Sequence, residues 1–137
     1  MKHMLIAAGM VVLLLPGSLG AHHAAAGVDQ STTVTIEGAV TQFRWANPHS
    51  WLEMEVINEE GEAELWNLEM LPPSYLIPAG WTRNTVKAGD EVTVVARPML
   101  SGAPGGLFVS VTLADGTELG GRGGRGGGRG AGARGGN

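Results

Sequence analysis

Four histidines and no cysteine set the terms for chemistry in this 137-residue chain. Without a thiol there is no disulfide, no thiolate metal site, no cysteine nucleophile and no lipid anchor of the kind that needs a cysteine. Imidazole is left, and three of the four rings stand in two short motifs: the pair His22-His23, and His49 in Trp45-Ala46-Asn47-Pro48-His49-Ser50-Trp51. The pair follows an apolar run that reads as an export leader, so its chemistry depends on where a peptidase cuts. A cut after Gly20 leaves Ala21-His22-His23, in which a free amine, two backbone nitrogens and the third-residue imidazole suit square-planar Cu(II) or Ni(II). A cut after Ala21 puts His22 at the terminus, with its amine and ring forming a two-nitrogen chelate. A cut after Ala26 removes both. His49 would complete a Cu(II) site if the arm folds back, with Glu53 or Glu55 holding its second ring nitrogen or lending an oxygen. The plain alternative is that His22 and His23 are polar residues of a frayed arm.

The second motif has its own alternatives. Asn47-Pro48 signals a turn, because the residue before proline is driven out of the helical region and asparagine turns locally. His49 and Trp51 then open a strand on its outward side, where they serve either as ligands or, for the histidine, as a hydrogen-bond partner that fixes the Asn47 corner. Of Trp45, Trp51, Trp66 and Trp81, the first two are candidates for stacking on a sugar or a peptide side chain, with Asn47 as a polar contact, whereas Trp66 reads as core. Catalysis finds little support. Ser50 adjoins His49, but neighbours on a strand point to opposite faces and cannot form a nucleophile–base pair. Glu53 and Glu55 share a face as a solvated acidic surface would. No phosphate loop, zinc-hydrolase helix or dinucleotide fingerprint occurs. A non-enzymatic protein is expected.

Elements that position these residues come from the remaining chain. Residues 1–21 are expected to be a signal peptide: Lys2, the apolar run Met4–Leu15, then Pro16 to Ala21 with the small residues a peptidase requires. The run is shorter than the roughly 20 residues a membrane span takes, so no transmembrane anchor is expected and the location is periplasmic or secreted. Residues 22–31 form a flexible arm, 32–119 one small domain, and 120–137 a Gly/Arg tail with nothing apolar to bury, expected to be disordered. Residues 29–119 set Arg44, Arg83, Lys87 and Arg97 against all thirteen acidic residues. That acidity excludes nucleic acid as a partner of the domain and suits cations or cationic partners. The tail carries Arg122, Arg125, Arg129 and Arg134 without an interleaved aromatic, which fits weak contact with anionic surfaces and not base stacking.

Within the domain the apolar period is that of strands. Val34, Ile36, Gly38 and Val40 alternate, then the phase slips to Phe43 and Trp45, which suggests a bulge near a mid-strand glycine. Leu52, Met54 and Val56 face inward on a second strand, and Asn58-Glu59-Glu60-Gly61 makes a hairpin loop to a third strand bearing Trp66, Leu68 and Met70. Pro73 begins a short helical turn that Pro78 stops. Val92, Val94 and Ala96 mark a fourth strand, and Leu107, Val109, Val111 and Leu113 a fifth, with Asp115-Gly116 closing the domain. The fold class is therefore all-β: a small five-stranded OB-like barrel with one short helical turn, the alternative being a fragment of a β-sandwich.

An ordered series of motifs resembles an uncharacterised family of small exported bacterial proteins, a domain of unknown function. The series is Ala21-His22-His23-Ala24, Gly38-Ala39-Val40, Trp45-Ala46-Asn47-Pro48-His49, the Asn58–Gly61 hairpin, Trp66, Gly80-Trp81 and Lys87-Ala88-Gly89-Asp90. It covers residues 21 to about 119, departing at Ala24, where the family often has serine, and at Val28-Asp29, where an aromatic often precedes the Asp. The resemblance implies export and a small barrel and no established activity. The expectation is an exported binding module holding Cu(II) through His22, His23 and His49; the rivals are a carbohydrate- or protein-binding adaptor built on Trp45 and Trp51, and a structural envelope protein with an unknown envelope partner.

Overall fold

The computed structural model describes residues 27–122; the leader, His22, His23 and the tail from residue 123 lie outside them. Six strands run in the order β1 (Val34–Arg44), β2 (Trp51–Ile57), β3 (Ala63–Glu69), β4 (Glu91–Pro98), β5 (Gly105–Leu113) and β6 (Glu118–Gly120), with a short helix α1 (Pro73–Leu76) between β3 and β4. The sheet order is β3-β2-β1-β4-β5-β6, and a parallel pairing of β3 with β5 closes the first five strands into a barrel. This closure, with a helix in the third connection, is the OB-like barrel expected from the sequence.

Each wall is built as the apolar period requires. Val40, Leu52, Met54, Val56, Leu68, Met70, Val92, Val94, Ala96 and Val111 are buried and form one core with Leu76, Trp81, Val86 and Phe108. The slip in β1 is a bulge: the register with β2 shifts between Val40 and Gln42, leaving Thr41 unmatched and returning Phe43 to the inside opposite Leu52. Three residues earlier, Gly38 is required by close approach, since a Cβ there would overlap the carbonyl oxygen of Glu55 on β2.

The fifth strand expected at Leu107, Val109, Val111 and Leu113 is present, but those four side chains do not share one face, because the register with β4 shifts between Val95 and Ala96: Ser110 faces Val95 and Phe108 faces Ala96, so Val109 is the extra residue. Phe108 is buried in its place, Val109 is exposed, and Leu107 turns outward. Asp115-Gly116 does not close the domain either. The chain returns as β6 against Ser110–Thr112, with the Thr117 amide donating to Asp115 Oδ1 at 2.9 Å, a bond that holds the Asp115 carboxyl below its usual range. Three residues are too few to show a period, but β6 matters: the Gly120 carbonyl accepts the indole N–H of Trp81 at 2.9 Å. Trp81, 1 % exposed, is thereby satisfied at the centre of the core, with ring centroids 5.7 Å from Phe43 and 5.4 Å from Phe108.

The chain from Gly27 is fastened before β1 begins. Val28 is buried and forms an antiparallel bridge with Met99. Asp29 N–H donates to the Pro98 carbonyl at 2.9 Å, and Leu100 N–H to the Gly27 carbonyl at 2.8 Å. The Asp29 carboxylate then accepts from the Ser31 amide and hydroxyl and the Thr32 hydroxyl. Those bonds, Ser31's first, hold its pKa down at about 2.

Candidate functional site: an outer groove at the first corner

The strand registers place four outward side chains in one row across the barrel wall. Arg44 of β1 lies opposite Trp51 of β2, Trp51 opposite Glu69 of β3, and Glu69 opposite Leu107 of β5. Directly opposed residues point to the same side of a sheet, so the row is continuous. His49 sits two residues before Trp51 and on the same side. The Arg44 guanidinium carbon lies 5.5 Å from the Trp51 ring centroid, within cation–π range.

A groove of about 830 Å³ lies along this row. One wall is the β1–β2 corner with Pro48, His49 and Trp51; the other is the β4–β5 connection with Met99, Ala103 and Pro104. Asn67, Glu69 and Leu107 lie between them, beside Gly105 and Gly106, and Gly27 and Val28 join the second wall. The lining is mostly apolar, with few polar groups, as ligand clefts usually are. In barrels of this type, the face of β2 and β3 between these two connections is the usual ligand-binding surface. Gly106 (φ 152°) is needed here: a Cβ would overlap the Arg97 carbonyl oxygen, so only glycine lets β5 close this tightly under the groove.

The polar centre of the groove is a histidine–carboxylate contact. His49 Nδ1 contacts Glu69 Oε1, the histidine side chain being 42 % exposed and the glutamate 11 %. A carboxylate on one ring nitrogen fixes that nitrogen as the proton-bearing one and leaves Nε2 as an acceptor. Metal-binding histidines have the same arrangement, their second nitrogen held by a carboxylate.

The residues singled out from the sequence part company here. His49 and Trp51 share the groove. Trp45 does not line it; it packs edge-on against Phe43 with centroids 5.8 Å apart and rests on the core. Asn47 is exposed, in a cis peptide with Pro48, and also outside the groove. His22 and His23 fall outside the described residues. Glu53 and Glu55 do not hold the His49 ring: Glu53 faces Gln42 and Asn67, and Glu55 faces Ala39 and Leu65. Glu69 holds it. Ser50, just before β2, is fully buried, whereas His49 lines the groove. Among the described residues, no group of three or more His, Asp or Glu side chains converges to hold a metal ion.

The hairpin register hid Glu69 in the sequence. A four-residue loop, Asn58–Gly61, would bring Trp51 opposite a core leucine. The loop runs one residue further, to Glu62, its ends tied by the Asn58 N–H to the Glu62 carbonyl at 2.9 Å and by Asn58 Oδ1 accepting from the Glu62 amide at 2.8 Å. Ile57 therefore pairs with Ala63, and Glu69 comes beside Trp51. A one-residue slip exchanges the two faces of a strand.

These features define a class: a small OB-like barrel with a histidine–carboxylate pair in a mainly apolar groove on the outer face of β2 and β3. The chain belongs to a family of unknown function, DUF6152, whose pattern matches residues 11–109. The membership of an uncharacterised family expected from the motifs thus holds. No curated protein matches the chain, and no solved structure does. Among the described residues no helix is long and apolar enough to cross a membrane.

Proposed function

We propose that this is an exported, non-enzymatic binding protein whose ligand site is the groove, and that the ligand is Cu(II) held by His49 Nε2 together with His22 and His23. One observation carries the reading: the Glu69 carboxylate occupies Nδ1 of His49 and leaves Nε2 free for a metal, in the groove where the chain leading from His22-His23 is anchored. His23 precedes Gly27 by four residues and His22 by five. A chain spans at most about 3.3–3.6 Å per residue, so both rings are tethered within about 20 Å of the groove wall. Three imidazoles, with a chain-terminal amine where the leader is cut after Gly20 or Ala21, suit Cu(II).

Isothermal titration of Cu(II) into protein recovered from the exported fraction, its amino terminus read by intact mass, tests the proposal. Tight 1:1 binding, weakened at least tenfold by His49→Ala and by joint His22→Ala and His23→Ala, supports it. Micromolar or weaker binding that neither change affects defeats it.

One observation favours a second reading. Trp51 lines the groove beside Pro48 and Pro104, a surface on which a sugar or a peptide side chain stacks. An adaptor of that kind would lose its partner in Trp51→Ala and ignore copper.

A further inference from the structure

We propose that the free edge of β3, at Ala63–Leu65, is a docking site for an extended cationic segment of another protein, which joins the sheet there as a further strand. The surface needs no metal, so it stands or falls separately from the copper reading.

Strand pairing leaves this edge open. In an antiparallel ladder alternate residues turn N–H and C=O toward the neighbour, and the rest turn them away. Asn58 N–H donates to the Glu62 carbonyl and Met70 N–H to the Ser50 carbonyl, both at 2.9 Å. With Val56 opposite Glu64 and Met54 opposite Trp66, the even-numbered residues of β3 therefore bond β2. Ala63, Leu65, Asn67 and Glu69 present their backbone groups to the other side. There β5 takes only Asn67–Glu69, starting from Gly105 opposite Asn67. The residue before Gly105 is Pro104, which has no N–H to carry the ladder back toward Leu65. Among the described residues no other backbone group bonds Ala63 or Leu65. Edges are usually blunted by lysine, proline or a bulge; residues 63–66 have none of these.

The two sides of the edge ask for two kinds of side chain. On the outer side Leu65 is 57 % exposed, and Ile57, opposite Ala63, is 62 % exposed, an apolar spot beside the free backbone groups. On the other side stands Glu64, next to exposed Glu62. The Glu64 carboxylate accepts from Asn58 Nδ2 at 3.1 Å and Trp66 Nε1 at 3.3 Å, both neutral donors, so its charge is unanswered. Between Arg44 and Arg83 the chain holds seven glutamates and no lysine or arginine. A second copy would set these glutamates against their own kind. A strand alternating cationic and apolar residues instead places its cations beside Glu62 and Glu64 and its apolar side chains beside Leu65. Charge complementarity selects the partner, and main-chain bonds to Ala63 and Leu65 hold it, as in strand addition generally.

Amide hydrogen exchange in the copper-free exported protein tests this, with a short end-blocked peptide of alternating lysine and valine as the probe. At saturation the amides of Ala63 and Leu65 should gain roughly tenfold protection or more. Those of Glu64 and Trp66, already bonded to β2, should change much less. A peptide of alternating glutamate and valine should protect nothing. Leu65→Lys, an exposed change that puts the peptide's own charge at the edge, should weaken binding about tenfold or more with the urea midpoint unmoved. Unprotected Ala63 and Leu65 amides in the saturated complex overturn the proposal. Equal binding of a lysine–serine peptide does so too, since charge alone then attracts it, as does equal binding of the glutamate–valine peptide. Protection that rises with protein concentration in the absence of peptide also overturns it, because the occupant is then a second copy.

Discussion

Strands β2, β3 and β5 carry two different surfaces on their two sides. Inward, Leu52, Leu68 and Phe108 are sealed under Trp81. Outward, Trp51, Glu69 and Leu107 of the same strands line an open groove. Burial of apolar area fixes the inner set, at about 25 cal/mol per Å², so residue type there follows the strand period closely. The outer set is released from that demand and holds the polar pair. The contrast teaches that the side chains that hold the core and those of the proposed site stand one residue apart along each strand.

The largest way to break the contrast is from inside. Trp81→Ala should cost about 3–5 kcal/mol, read as a lower denaturation midpoint in urea, because it removes a fully buried ring and leaves the Gly120 carbonyl without its donor. If the midpoint is unmoved, Trp81 does not hold the core. From outside, His49→Ala should do the reverse. Cu(II) affinity should fall at least tenfold, about 1.4 kcal/mol, while unfolding stability shifts by no more than about 0.5 kcal/mol, as for an ordinary surface change. Glu69→Gln sharpens the comparison. An amide still accepts a hydrogen bond but carries no charge, and Cu(II) binding should weaken about 10-fold, toward the low end of the effect of losing such a partner; nitrogen NMR of the His49 ring should show its proton no longer confined to Nδ1.

Two smaller effects refine the picture. Trp51→Ala should cost about 0.5–1 kcal/mol through its contact with Arg44 and leave copper titrations unchanged; a large loss of copper would make the ring part of the metal site. Asp29 gives a pH effect. Its carboxyl is held down at about 2 from an ordinary 3.8, so its contribution to anchoring the arm is complete above the unfolded value and is lost as pH falls through the folded one. Protection of the Leu100 amide, taken relative to its intrinsic exchange rate at each pH, should be steady from neutrality to about pH 4 and fall on further acidification. Asp29→Asn should flatten that acid response relative to the parent.

The fold was largely legible because burial imposes a period. Leu52, Met54, Val56, Leu68, Met70, Val92, Val94 and Ala96 lie inside as their alternation required, and the slip from Val40 to Phe43 marked a real bulge. It failed at Val109, where a second bulge has no glycine or turn residue to announce it. The site was legible in part. His49 and Trp51 stood out by type and share the groove. Glu69 did not, because only the hairpin register pairs it with Trp51, and a loop longer by one residue decides that register. Trp45 looked equivalent to Trp51, yet the bulge at Thr41 turns Phe43 inward and Trp45 follows it onto the core.

The account turns on the Nε2 of His49 taking part in a copper site with the arm. Pulsed electron paramagnetic resonance of the Cu(II)-loaded exported protein, set beside its His49→Ala variant, tests this most directly. The prediction is that the remote-nitrogen modulation of coordinated imidazole shows one ring fewer in the variant. Identical modulation in the two proteins would place copper elsewhere and contradict the account.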